Sequence, residues 1–423
     1  MIRILQISDI HFLNCEEEDD NYSQLRQRLL DDVDNLVGVR GAVEVILVCG
    51  DIANKGQKAE YVKARAFLED LATHCHCSLD RVFLVPGNHD VDRSNHSFSR
   101  DFFRQVFFDK KANNDALKSF REKEPLALAL AYAPFENYRE MALVFDSNDE
   151  LTQAIIDGEV NLSKKKLYWK KFIGSESGYD VHVIGINTAL ISGKDDFDLQ
   201  NGTGQKMFLP KCSYQLKREK NEIYISMMHH PVTHILDGSN IEKKLDSRFQ
   251  IQLYGHMHKQ SSDVSNAIKI YSGSLQPGEP EEGEYVPIYN LLELYVNDMG
   301  GKKRLTVDLY SRQGNDMGFV LYKQEKVPLS VSLEYNNQWA VTIPRSTGGN
   351  DTQQETTGTT VTMKHTVNEL NYLFLTISNA KSIMRKMYAD HYDARLSDKI
   401  NRLRFLQRVK KDNKYEELDK LIP

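Results

Sequence analysis

No stretch of this 423-residue chain approaches the ~18 consecutive apolar residues that a membrane-spanning helix needs, so no membrane segment is expected. Nor is a secretory leader expected: MIRILQISDIHF runs straight into a strand pattern, with no charged segment, long apolar core and small-residue cleavage site. Cysteine is scarce. The five present, at 15, 49, 75, 77 and 212, do not make a disulfide framework in a chain this long, and a reducing compartment fits them. These absences lead us to expect a cytoplasmic protein. No internal repeat is visible, so a repeat array is not expected.

A strongly basic balance is also lacking, since the net charge is −6. The charge is uneven, however. From Lys364 to the end there are 13 Lys and Arg against 8 Asp and Glu, a balance of +5, while the preceding body carries 41 against 52, a balance of −11. An acidic body with a basic tail suits either an anionic partner or an ordinary solvated helix surface. With 40% hydrophobic and 27% charged residues the chain reads as globular, and it is long enough for more than one domain.

The most informative stretch is VFLVPGNHD, residues 82–90. Val82 to Pro86 reads as a buried strand, after which Gly87, Asn88, His89 and Asp90 present polar side chains at its carboxyl end, the edge where open α/β sheets place their chemistry. Other strands end in the same way. RILQIS is followed by Asp9 and His11, which project to one side if the chain stays extended. VEVILVC ends in Gly50-Asp51, EIYISMM in His229-His230-Pro231, and FQIQLY in Gly255-His256-Met257-His258. Any one of these is an ordinary turn or core histidine. Five together indicate a metal site.

Helices are expected from about Ser23 to Leu36 and from Ala59 to Ala72, which makes the first 90 residues β-α-β-α-β with a parallel sheet. Residues 93–179 read as a helical insertion that covers or borders the site. Strand character returns at VHVIGI, followed by Asn187, and a helix is expected after the glycine-rich loop 191–205. IYNLLELYV and RLTVDLYS alternate and suggest antiparallel strands closing a second sheet. Residues 301–345 read as an accessory β segment, 346–362 as a flexible linker almost free of apolar residues, and 363–423 as a basic helical region suited to dimerisation or to docking a protein partner. His74-Cys75-His76-Cys77 sets four soft ligands in a row. Neighbours at a helix end point in different directions, and no partner pair lies at zinc-finger spacing, so a plain helix-to-strand turn is expected.

The order D-x-H, G-D-x-x-N, G-N-H-D, H-H-P, G-H-x-H resembles the calcineurin-like metallophosphoesterase superfamily over about residues 1–300, the insertion excluded. The resemblance implies an α/β fold, a four-layer α-β-β-α sandwich with helical insertion and C-terminal appendage, around a dinuclear centre. One metal would be held by Asp9, His11, Asp51 and His258, and the other by Asp51, Asn88, His229 and His256, with Asp51 bridging. His89 would protonate the leaving alkoxide and Asp90 would orient it. His230 would contact phosphate, and Asn54 is read as a turn residue. Two cations about 3.5–4 Å apart acidify a shared water and clamp phosphoryl oxygens. Mixed N/O ligation suits Mn, Fe, Zn or Ni. The implied reaction is hydrolysis of a phosphate ester by a metal-bridging hydroxide. A phosphodiester of DNA, RNA or a nucleotide is favoured. A phosphomonoesterase and a catalytically silent scaffold working through its tail are the alternatives.

Overall fold

The computed structural model describes residues 1–333 except 16–19, 21, 96–97, 109–112, 160, 199–201, 277–285, 316 and 325–328, and beyond them 374, 379–388, 401–402, 405–406, 408–409 and 412–422. The anticipated linker at 346–362 and residues 334–345 of the anticipated accessory β segment lie outside the described residues.

Near-continuous apolar runs form three short parallel strands, β1 (Ile2–Ile7), β2 (Val45–Val48) and β3 (Val82–Leu84), joined by α1 (Ser23–Arg40) and α2 (Lys58–His74). Such runs are what a parallel strand covered on both faces requires. Glu60 closes α2 at its start by accepting from the Gln57 N–H at 2.8 Å, while the Gln57 side chain accepts in return.

IYNLLELYV and RLTVDLYS are antiparallel, but they do not close a second sheet. They form β10 (Ile288–Met299) and β11 (Lys302–Asn315), which join β1 on its other side. Gly300 and Gly301 turn the hairpin in two residues, both at positive φ as such a tight turn demands. With β12 (Gly318–Gln324) the first sheet runs β12-β11-β10-β1-β2-β3, and β13 (Leu329–Ser332) pairs with β11. The described strands after residue 300 thus continue the main sheet, and Met1–Val331 is one compact unit.

The second sheet runs β4 (Tyr168–Glu176), β5 (Tyr179–Ile186), β6 (Glu222–Met228), β7 (Ile251–Tyr254), β9 (Ile268–Tyr271), β8 (Ser261–Val264). β4 was hidden in the expected helical insertion. YWKKFIGSE lacks clean alternation because it pairs only with β5 and is irregular between Phe172 and Gly174. The helix expected after the glycine-rich loop is a single turn at Lys211–Ser213. The insertion is otherwise helical: α3 (Phe98–Phe108), α4 (Asn113–Lys123), α5 (Pro125–Ala131), α6 (Glu136–Val144) and α7 (Glu150–Ile156). Phe103, Phe107, Phe120 and Tyr132 share one apolar cluster with Ile184, Tyr224 and Tyr254 of the second sheet and with α8 (Gly238–Asp246). Helices, two sheets and helices make the four-layer sandwich.

The second unit, Ser332–Pro423, contains α9 (Ala380–Met387) and α10 (Tyr415–Asp419), with Phe374 stacked on Phe405 at 4.5 Å. No described helix is long and apolar enough to cross a membrane.

Trp169 of β4 clasps the two sheets together. Its indole N–H donates to the Leu84 carbonyl of β3 at 3.1 Å, and its ring lies against Gly185 of β5. A Cβ at Gly185 would sit 1.9 Å from that ring. Gly185→Ala is therefore expected to destabilise the protein by about 1–3 kcal/mol through overpacking, read as a lower denaturant midpoint; an unchanged midpoint would show the clasp to be dispensable.

Candidate metal centre

The carboxyl ends of β1, β2, β3, β6 and β7 meet at one edge. Their approach is set by backbone contacts: the Asp9 N–H donates to the Gly50 carbonyl at 3.0 Å, and the Ile10 and His11 N–H groups share the Asp51 carbonyl at 2.9 and 3.0 Å. Asp9 and His11 do not converge by strand alternation, because the chain is not extended there. Asp9, His11, Asp51, His256 and His258 all have positive φ, between 48 and 68°. Left-handed backbone costs a non-glycine residue on the order of 1–3 kcal/mol, and such residues cluster where a site is pre-organised.

Glycines make room for this crowding. A Cβ at Gly87 would lie 2.1 Å from Asp51 Oδ1 and 2.5 Å from its backbone nitrogen, and one at Gly255 would lie 2.2 Å from Ser8 Oγ. The loops that carry Asn88 and His256 therefore open on residues that only glycine can be.

Asp9, His11 and His229 are fully buried and Asp51 is 1% exposed. Asp51 lies between two groups of ligand-type side chains. On one side its Oδ2 is 4.0 Å from His11 Nε2, and Asp9 Oδ1 in turn is 4.0 Å from His11 Nε2 and 3.2 Å from His258 Nε2. On the other side the same Oδ2 is 3.2 Å from His229 Nε2, which is 3.1 Å from Asn88 Oδ1, and the His256 ring lies 5.1 Å from that of His229. The Asp51 Oδ1 accepts from the His89 backbone N–H at 2.8 Å. Asp9, His11 and His258 form one group whose ligand atoms all lie within 4.8 Å, and Asp9, Asp51 and His229 form another. All seven side chains expected to be ligands are brought together.

The outer side of the cluster is hydrogen-bonded to the backbone, while inside it some ligand-type atoms lack hydrogen-bond partners. The His229 Nδ1–H donates to the Cys49 carbonyl at 2.8 Å, which turns Nε2 inward. Both ring nitrogens of His11 and Asp9 Oδ1 are buried without a hydrogen-bond partner. Burial opposes the charge on Asp9, but the His258 contact and the nearby His229 outweigh it and hold the carboxyl at about 2. Burial likewise opposes charge on His229, yet Asp51 beside it raises the imidazole to about 9. Burial lowers His11 to about 3, despite Asp51. Ionised carboxylates, an amide oxygen and imidazole nitrogens facing one small volume are a donor set for divalent cations.

Asp90 does not orient His89. Its oxygens accept from the backbone N–H groups of Ile52, Ala53 and Gly87 at 3.2, 3.0 and 2.9 Å and from the Tyr61 hydroxyl at 2.8 Å. It pins the Asp51 loop to the Asn88 loop. The group that steadies His89 is the Asn54 backbone carbonyl, 2.8 Å from Nδ1. Asn54 thus contributes through its main chain, which a motif of side chains does not show. Thr188 was also missed: its hydroxyl lies 2.9 Å from His230 Nδ1. It sits just past the end of β5, so the same strand-end reading would have found it. His74–Cys77 form no metal-type group among the described residues; His74 pairs with Asp34 at 2.8 Å and Cys75 is buried.

Asp90→Asn should therefore act on the loops. An amide cannot accept from all four donors, so a loss of about 1–3 kcal/mol of stability is expected, together with reduced metal retention. Unchanged stability with reduced turnover would instead restore the orienting role.

The chain is similar to known proteins. Residues 2–260 match the profile of the calcineurin-like phosphoesterases. The uncharacterized metallophosphoesterase-like protein YydB of Bacillus subtilis (strain 168) is 25% identical over 307 residues, covering 68% of this chain and 56% of that protein, so the chain spans just over half the length of that relative. Similar solved structures include a dimetal phosphatase from Danio rerio (TM-score 0.42, 13% identity, 73% of this chain and 95% of that one) and Vps29 from Entamoeba histolytica complexed with zinc (TM-score 0.31, 13% identity, 78% and 99%). With the family profile spanning more than half of its length, the chain belongs to the calcineurin-like phosphoesterase family, whose members use a dinuclear metal centre.

Proposed function

We propose that this chain is a dinuclear metal-dependent phosphodiesterase acting on nucleic acid or nucleotides. The observation that carries the reading is the position of Asp51, with one oxygen between His11 on one side and His229 on the other. One cation would take Asp9, His11, Asp51 and His258, and the second Asp51, Asn88, His229 and His256. The buried His11 nitrogens and Asp9 Oδ1, which lack hydrogen-bond partners, fit such a role. Two divalent cations of the Mn, Fe, Zn or Ni type supply an acidified shared water and neutralise charge on the phosphoryl group.

The protein's own residues do the rest. Asp51 stays ionised: burial opposes its charge, but His229 and His89 outweigh that and hold it well below the usual carboxylate range. His89 donates Nδ1–H to the Asn54 carbonyl, so Nε2 is the nitrogen that hands a proton to the leaving alkoxide. His230 would contact a phosphoryl oxygen, a role supported by its burial beside His256 with Nε2 unbonded. Preference for a diester follows from the H-H-P and G-H-M-H motifs, which resemble the phosphodiesterase and nuclease branches more than the protein phosphatases. The basic C-terminal region offers phosphate contacts to DNA or RNA, or helices for a second copy or a protein partner.

His89→Ala is expected to lower kcat by about 10²–10⁴ while two metals per chain are retained. Asp51→Asn should lose at least one metal, measured by elemental analysis of the purified protein. Two metals and full turnover in the Asp51 variant would refute the bridge, and no effect of His89→Ala would indicate a silent scaffold. With manganese added, bis-p-nitrophenyl phosphate should be cleaved faster than p-nitrophenyl phosphate; the reverse order would make the enzyme a monoesterase.

A further inference from the structure

Three imidazoles crowd one side of the metal-type centre. His229, His230 and His256 bring ligand-type nitrogens within 4.8 Å of one another. The His230 ring lies 4.8 Å from that of His229 and 4.6 Å from that of His256. By distance alone His230 could serve a cation as readily as a phosphoryl oxygen. The two roles need opposite tautomers. A ligand presents a lone pair, whereas a contact to an anionic oxygen presents an N–H. The nitrogen at issue is Nε2, which is buried without a hydrogen-bond partner, while Nδ1 is engaged by Thr188.

We propose that Thr188 is a positioning residue that holds His230 in its Nε2–H tautomer, reserving the ring for a phosphoryl oxygen and withholding it from a cation. The proposal rests on the reading of His230 as the phosphoryl contact. Thr188 is fully buried just past the end of β5. Its oxygen accepts from the His230 backbone N–H at 3.0 Å and lies 2.9 Å from His230 Nδ1. The hydroxyl has one hydrogen, and among the described residues Nδ1 is the one acceptor given for it. The His230 ring is 1% exposed and forms no ion pair among the described residues, so it stays neutral and carries a single hydrogen.

With that hydrogen on Nδ1, two donors would face the Thr188 oxygen and the hydroxyl hydrogen would be buried without an acceptor, which is costly. With it on Nε2, the hydroxyl accepts from the backbone and donates to Nδ1, and every polar atom of the pair on that side is matched. The adjacent histidine shows the opposite arrangement. His229 Nδ1 faces the Cys49 carbonyl at 2.8 Å. A carbonyl can only accept, so a neutral His229 is bare at Nε2, as a ligand must be. A carbonyl behind one ring and a hydroxyl behind the next thus give neighbouring histidines different roles.

The test uses the full chain with nitrogen-15 histidine, loaded with zinc because zinc is diamagnetic. A long-range nitrogen–proton spectrum separates ring nitrogens that carry hydrogen from those that do not, and His230→Gln identifies the His230 signal. The wild type should carry its hydrogen on Nε2. Thr188→Val removes the hydroxyl and keeps the shape. It should lose the single tautomer and bind inorganic phosphate, followed by calorimetry, about tenfold more weakly. Thr188→Ser returns the hydroxyl and should recover both properties. If Thr188→Val does not fold, the wild-type spectrum still decides the tautomer. A bare Nε2 on wild-type His230, or a tautomer and phosphate affinity that Thr188→Val leaves unchanged, would overturn the proposal. Phosphate binding that is absent, or that His230→Gln leaves unchanged, would instead remove the phosphoryl contact beneath it, and the proposal with it.

Discussion

The constraint on which this structure depends is the burial of the charged Asp51 carboxylate. Asp51 can remain ionised with almost no access to water only because the surrounding chain supplies its partners: the His89 backbone N–H on one oxygen, His11 and His229 around the other. An isolated carboxylate there would protonate instead of paying the desolvation cost. That requirement explains the local sequence. Gly87 must lack a side chain because Asp51 occupies the space, and Asp90 must be an acceptor because it ties the loop after Asp51 to the loop before Asn88. The motif glycines and aspartates serve the position of one oxygen pair.

Support for that position extends outward through both sheets. Tyr61 on α2 holds Asp90, and Gln276 donates to the His11 carbonyl at 2.6 Å from beyond the second sheet. Ser274 donates to the Asp9 carbonyl at 3.1 Å. These contacts hold residues in left-handed backbone conformations that they would otherwise leave. The helical insertion shares the apolar cluster of the second sheet, so it is part of the sandwich and not a detachable cover.

Much of the site was legible in the sequence because strand ends are local. An apolar run followed by Gly and a ligand-type residue needs no knowledge of the rest of the chain, and each of the seven expected ligands lies at the centre. The misreadings were non-local. The role of Asp90 could not be read because its partners, Ile52, Ala53 and Tyr61, are brought to it by folding, and Asn54 acts through a carbonyl that every residue type carries. Tyr168–Glu176 escaped notice because an edge strand with one neighbour need not alternate. The strands β10 and β11 were recognised as an antiparallel pair, but sheet membership depends on which open edge they meet. Here that edge belongs to β1, in the register Leu5 to Leu291.

The central claim is that these strand ends hold two cations joined through the Asp51 carboxylate. Electron paramagnetic resonance of the full chain loaded with manganese addresses it directly. The account predicts two manganese ions per chain and an exchange-coupled spectrum, because a shared carboxylate links their spins. A simple six-line signal from isolated ions, or saturation at one ion per chain, would contradict it.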